Sequence, residues 1–76
     1  MEYLTSDIVL AATLKCHNYK CSSITISGNK GTFSFTDVPQ SFLLDFDLDN
    51  IKVSPLQFNN FIKQLTTSVK RMTNGK

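Results

Sequence analysis

A chain of 76 residues with 41% hydrophobic content and six phenylalanines can hold one core, so residues 1–76 read as a single domain. Charged residues make up only 18%, which leaves Ser, Thr, Asn and Gln to supply much of the surface; a net charge of +2 does not demand a polyanionic partner. The start, Met1 to Asp7, lacks the basic stretch of a secretory signal, and the apolar run Ile8 to Ala12 is too short to span a membrane. A cytoplasmic protein with free thiols is therefore expected.

Thr5-Ser6-Asp7 offers capping oxygens for a first helix running to about His17. On a helical wheel Leu4, Ile8, Val9, Leu10, Ala11, Ala12, Leu14 and Cys16 leave only a narrow polar strip at Thr13 and His17. Such a helix must be buried on most sides, either between a sheet and another helix or against a second copy. The second option makes a homodimer a candidate assembly. Asn18 suits the left-handed exit of this helix.

Ile24 and Ile26 then alternate with Ser23, Thr25 and Ser27, and Phe33 and Phe35 alternate with Thr32, Ser34 and Thr36. With Gly28-Asn29-Lys30-Gly31 between them, the two runs predict an antiparallel hairpin with one apolar face and one hydroxyl face. A lone hairpin is marginal, so helices must cover the apolar face. Residues 41–48 fit either a helix begun near Pro39 or a strand. Asp is poor in strands and proline suits a helix start, which favours the helix. Ile51-Lys52-Val53 offers a short third strand.

The clearest element follows. Ser54 with Gln57 forms a capping-box pattern around Pro55. Phe58, Phe61, Ile62, Leu65, Val69 and Met72 recur at helical spacing, and Thr73 to Lys76 should fray. The fold class expected is α+β: N-terminal helix, hairpin, short helix, third strand, long C-terminal helix. Its core would be Ile8, Ala11, Leu14, Ile24, Ile26, Phe33, Phe35, Phe58, Phe61, Ile62, Leu65 and Val69.

Chemistry is sparse. Asp45-x-Asp47-x-Asp49 has the opening spacing of a calcium loop, but Asn50 replaces the turn glycine and Leu56 stands where the bidentate acid belongs. Cys16, His17 and Cys21 lack the second ligand pair of a zinc site. Neighbours on a helix diverge by about 100°, so Cys16 and His17 make a poor nucleophile–base pair. No metal, cofactor, small-molecule substrate or enzymatic activity is expected. Phe33 and Phe35 share a face with Ile24 and Ile26 and read as core rather than a base-stacking platform.

Charge is segregated. Residues 37–49 carry four aspartates and no base, whereas residues 52–76 carry Lys52, Lys63, Lys70, Arg71 and Lys76 and no acid. Lys63, Lys70 and Arg71, with Asn59 and Thr67, form the candidate nucleic-acid-binding set. Cations near a helix C-terminus are also favoured by its dipole and suit a solvated exterior. The first functional expectation is a non-enzymatic protein-interaction module acting as adaptor, regulator or inhibitor. The alternative is a nucleic-acid-binding accessory or regulatory protein.

Taken together, Ser6-Asp7, Leu10-Ala11-Ala12, Asn18-Tyr19, Phe33-Ser34-Phe35-Thr36-Asp37, Pro55, Phe58 and Leu65 resemble a family of short domains of unknown function from phages, mobile elements and bacteria. The resemblance covers nearly the whole chain through core and turn residues. It implies a helix–hairpin–helix unit and a phage or mobile-element setting, with the host cytoplasm as its location, and it carries over no site residue.

Overall fold

The computed structural model describes residues 2–28 and 30–73. Its elements are β1 (Glu2–Thr5), α1 (Ile8–Cys16), β2 (Cys21–Ser27), β3 (Lys30–Thr36), α2 (Gln40–Asp47) and α3 (Pro55–Thr73). The α+β class, the hairpin, the short helix from Pro39 and the long last helix are as the sequence predicts. The third strand is not at Ile51-Lys52-Val53, which takes no regular structure. That place in the sheet belongs to Glu2–Thr5, which pairs antiparallel with β3 and sets the order β1-β3-β2. Both outer strands oppose β3, so β1 and β2 run parallel to each other, with α1 crossing between them and β3 inserted.

Pairing decides the faces. Tyr3 lies opposite Phe35 and Thr5 opposite Phe33, so these side chains join the phenylalanines on the inner face. Leu4 pairs with Ser34 on the outer face and is 59% exposed, which removes it from the helical wheel where the sequence placed it. A bulge between Cys21 and Ser23 accommodates Ser22, whose hydroxyl donates to the Ser34 carbonyl at 3.2 Å and to Glu2 Oε2 at 3.3 Å. The bulge turns Cys21 inward opposite Phe35. Ser34 is itself buried, because neighbouring strands flank it on both sides.

The inner face is covered by two helices, α1 toward β1 and α3 toward β2, packed against each other. Leu10, Ala11, Ala12, Thr13 and Leu14 are consecutive and all buried. Five successive residues point around the full circumference of a helix, so α1 is enclosed by its own chain. The apolar surface that suggested a second copy is largely covered in one molecule. Thr13 tolerates this position because its hydroxyl donates to the Val9 carbonyl at 2.8 Å. The buried cluster is Leu10, Ala11, Ala12, Leu14, Phe33, Phe35 and Leu65, with Ile8, Ile24, Phe58, Phe61, Ile62 and Val69 packed partly buried around it. Leu10 and Ala12 join the expected core. Ile26 is only half-buried, since its cross-strand neighbour is Gly31, which offers no side chain.

Helix ends follow local chemistry. Asp7 caps α1, its Oδ1 accepting from the N–H groups of Val9 at 2.9 Å and Leu10 at 3.4 Å. Asn18 is left-handed at φ 70°, and Tyr19 N–H returns to the Leu14 carbonyl at 3.0 Å, a Schellman closure. α2 ends in the same way: Asp49 at φ 59° lets Asn50 N–H reach the Asp45 carbonyl at 2.9 Å. α3 departs from its expected cap. Phe58 N–H donates to the Ser54 backbone carbonyl at 2.8 Å, and among the described residues neither the Ser54 hydroxyl nor Gln57 makes a side-chain hydrogen bond. Pro55 already removes one of the N–H groups such a box would serve. Asn29 in the hairpin turn and residues 74–76 of the expected frayed end lie outside the described residues. Thr73 still closes α3, its hydroxyl donating to the Lys70 carbonyl at 3.1 Å.

α3 comes close to the sheet at Gly31 through Val69. A Cβ built there would lie 2.8 Å from Val69 Cγ2, too near for two carbon atoms. Gly31→Ala is therefore expected to lower stability by about 1–3 kcal/mol, the usual cost of overpacking. Trimming the opposing side chain should restore part of it. Denaturant unfolding of Gly31→Ala, Val69→Ala and the double variant checks this, and strictly additive losses would rule out the contact.

Candidate functional site

Asn59, Lys63, Thr67 and Arg71 are spaced four apart, which sets them in one row along α3, and all are exposed. Lys63, Thr67 and Arg71, with Gln64 and Ser68, line a shallow depression of 400 Å³. Lys70 does not join them. It lines a separate 240 Å³ cleft at the hairpin end with Ser6, Lys30, Gly31, Thr66 and Val69. The candidate set is thus divided: four of its residues form a row, and Lys70 pairs in location with Lys30.

A third cleft, of 450 Å³, runs between β2 and α3 and brings Lys15 and Arg71 to one lining, with Ile24, Leu65 and Met72 as its apolar part. The Lys15 ammonium sits 5.3 Å from the centroid of the Phe61 ring, a cation–π contact that holds its stem along the core. Lys15 and Lys30 were not in the expected set. Each sits far from α3 in the chain, and only helix packing and the hairpin turn bring them beside it. Among the described residues no carboxylate pairs with Lys63, Lys70 or Arg71, so their charge is not neutralised by direct contacts.

The Cys16–His17–Cys21 cluster disperses into structural roles. His17 Nε2 lies 2.9 Å from the Lys52 carbonyl. A carbonyl only accepts, so that nitrogen carries a proton and donates. The same ring meets Phe42 edge-on at 5.3 Å, and Tyr19 meets Phe42 at the same distance. His17 is therefore the clasp that ties residues 51–53 and α2 to the end of α1. Cys21 faces the core and its thiol donates to the Ser23 carbonyl at 3.3 Å. Burial pushes the Cys16 thiol above its ordinary pKa of 9.0.

Asp45 and Asp47, two apart on α2, leave it on nearly opposite sides, and Asp49 turns the chain. Among the described residues no three His, Cys, Asp or Glu side chains gather where they could hold a metal ion. No described helix is long and apolar enough to cross a membrane.

No family model matches the chain, and no curated protein or solved structure matches it significantly.

The raised Cys16 pKa has a checkable sign. The folded state holds the thiol proton more tightly than the unfolded chain does, so this contribution is full below pH 9 and is lost as pH rises through the folded pKa. Thermal unfolding followed from pH 7 to pH 10.5 should show a fall above about pH 9 that is smaller in Cys16→Ala. An identical fall in both proteins would exclude Cys16 as its source.

Proposed function

We propose that this chain is a small non-enzymatic protein-interaction module that presents the outer face of α2 to a partner. The observation that carries this reading is the pair Leu44 and Leu48, which are 58% and 60% exposed. They lie one turn apart, bonded through Leu48 N–H to the Leu44 carbonyl at 3.0 Å. α2 places Phe42, Leu43 and Phe46 toward the core and contains no fully buried residue. Its inner face anchors it, and its outer face is an apolar ridge flanked by Asp45 and Asp47. Leucines at this spacing are the usual anchors of a helix laid into a groove. The complementary partner has an apolar groove rimmed by Lys or Arg. The non-enzymatic part rests on His17 and Cys21 being engaged in packing and backbone contacts. The resemblance carried by the core and turn residues supports a phage or mobile-element setting for such an adaptor, regulator or inhibitor, acting in the host cytoplasm.

Leu44→Ser with Leu48→Ser should change stability by no more than about 1 kcal/mol, about 0.5 kcal/mol for each exposed substitution. The same pair should remove the proteins that the unaltered chain retains from its native host. Equal retention by both would overturn the assignment to α2.

The alternative reading, nucleic-acid contact, is favoured by the unpaired Asn59–Lys63–Thr67–Arg71 row. It expects DNA or RNA binding that weakens with salt. Charge reversal at Lys63 and Arg71 together should abolish that binding, whereas Lys70→Glu should reduce it less because Lys70 lies off the row. Filter binding across a salt series separates the two. Retention of full affinity by the Lys63/Arg71 pair would remove this face.

A further inference from the structure

The sheet has two edges, and they are not equally protected. β1 is four residues long and carries Glu2, and both brevity and an edge charge discourage pairing. β2 is seven residues, Cys-Ser-Ser-Ile-Thr-Ile-Ser, with no charge and no proline, and its only irregularity is the bulge at its start. One side of β2 is taken by β3. Among the described residues no turn, loop or inter-element backbone hydrogen bond reaches the other side. Alternate N–H and C=O groups of an outer strand point away from its neighbour, so this edge is a ready template for another strand.

The 450 Å³ cleft between β2 and α3 lies along that edge. Ser23, on the outer face of the sheet, and Ile24, on the inner face, both line it, so the cleft wraps around the edge itself. Its α3 wall supplies Leu65, exposed Met72 and exposed Arg71, and Lys15 reaches it from α1. Among the described residues no acidic side chain lines it.

We propose that the β2 edge and this cleft take an extended peptide strand from a partner protein, with acidic and apolar side chains. The strand completes the backbone ladder of β2. Side chains on its α3-facing side meet Met72 and Ile24 where apolar and Lys15 and Arg71 where acidic. Main-chain pairing gives affinity and these two kinds of contact give specificity, the usual division in strand addition. A second copy docking through β2 is the weaker fit. Antiparallel pairing centred on Ile24 would set Lys20 of each copy near the Lys30 turn of the other and bring like charges together at both ends. This surface is separate from α2, so it stands or falls independently of the leucine ridge.

The test uses the whole chain and an end-blocked octapeptide, Thr-Glu-Thr-Val-Thr-Glu-Thr-Val, one face of which carries both glutamate and valine, followed by amide NMR. Binding should shift and slow the exchange of alternate amides within Cys21–Ser27. Replacing the glutamates with lysine should weaken it at least tenfold, and Arg71→Glu should weaken the glutamate peptide comparably. Methylating the peptide nitrogens that face β2 should abolish binding, whereas methylating the alternate set should not. These peptide changes leave the fold of the protein untouched. The proposal is overturned if β2 amides do not respond at millimolar peptide, or if both methylated peptides bind equally. It is also overturned if sedimentation finds the free protein dimeric with its β2 amides already protected.

Discussion

The inner face of β3 is the constraint on which the rest depends. Phe33 and Phe35 are almost wholly excluded from solvent, and a three-stranded sheet cannot achieve that alone. Burying a phenylalanine is worth about 1.5–3 kcal/mol, a large share of what a domain of this size has in total. α1 and α3 must both lie on this face, and their mutual contact follows from the width of the sheet. Ala11 and Ala12 let α1 come close, and Gly31 does the same for α3 at Val69. Small residues therefore stand where elements meet, and large ones where they fill.

Enclosing α1 frees the remaining apolar surface for other work. A helix apolar on most sides would ordinarily argue for a partner, but here the sheet, α3 and the inner side of α2 cover it. Besides the exposed Leu4, Val9, Leu56 and Met72, two features stay outside, α2's leucine pair and the edge of β2. Neither helps close the core, so neither is explained by folding. The two differ in charge as well as shape: the ridge is flanked by aspartates, whereas the cleft beside β2 is flanked by Lys15 and Arg71. The segregation of acid and base along the chain becomes, in the fold, two surfaces of opposite character.

His17 shows how one side chain changes meaning between sequence and structure. Beside Cys16 and near Cys21 it reads as metal or acid–base chemistry. In the fold it donates to a backbone carbonyl of residue 52 and packs its ring on Phe42, which makes it a fastening for α2 and the segment that follows. Any face that α2 presents to a partner is held in place by this contact.

The sequence by itself determined the elements whose signals are local. Alternation of Ile and Phe with hydroxyl residues specified the hairpin, the apolar stripe from Phe58 specified α3, and Asn18 marked the end of α1 by tolerating a left-handed backbone. The row Asn59, Lys63, Thr67 and Arg71 was also legible, being pure helical periodicity. Only the tertiary structure decided that Glu2–Thr5 is a strand. Four residues carry too little pattern to be read, and their pairing energy comes from a strand some thirty residues away in the chain. It likewise decided that Lys70, which helical spacing already sets off the row, sits by Lys30, and that Lys15 and Arg71 line one cleft. Those neighbours depend on how helix and sheet pack, and spacing along the chain does not encode it.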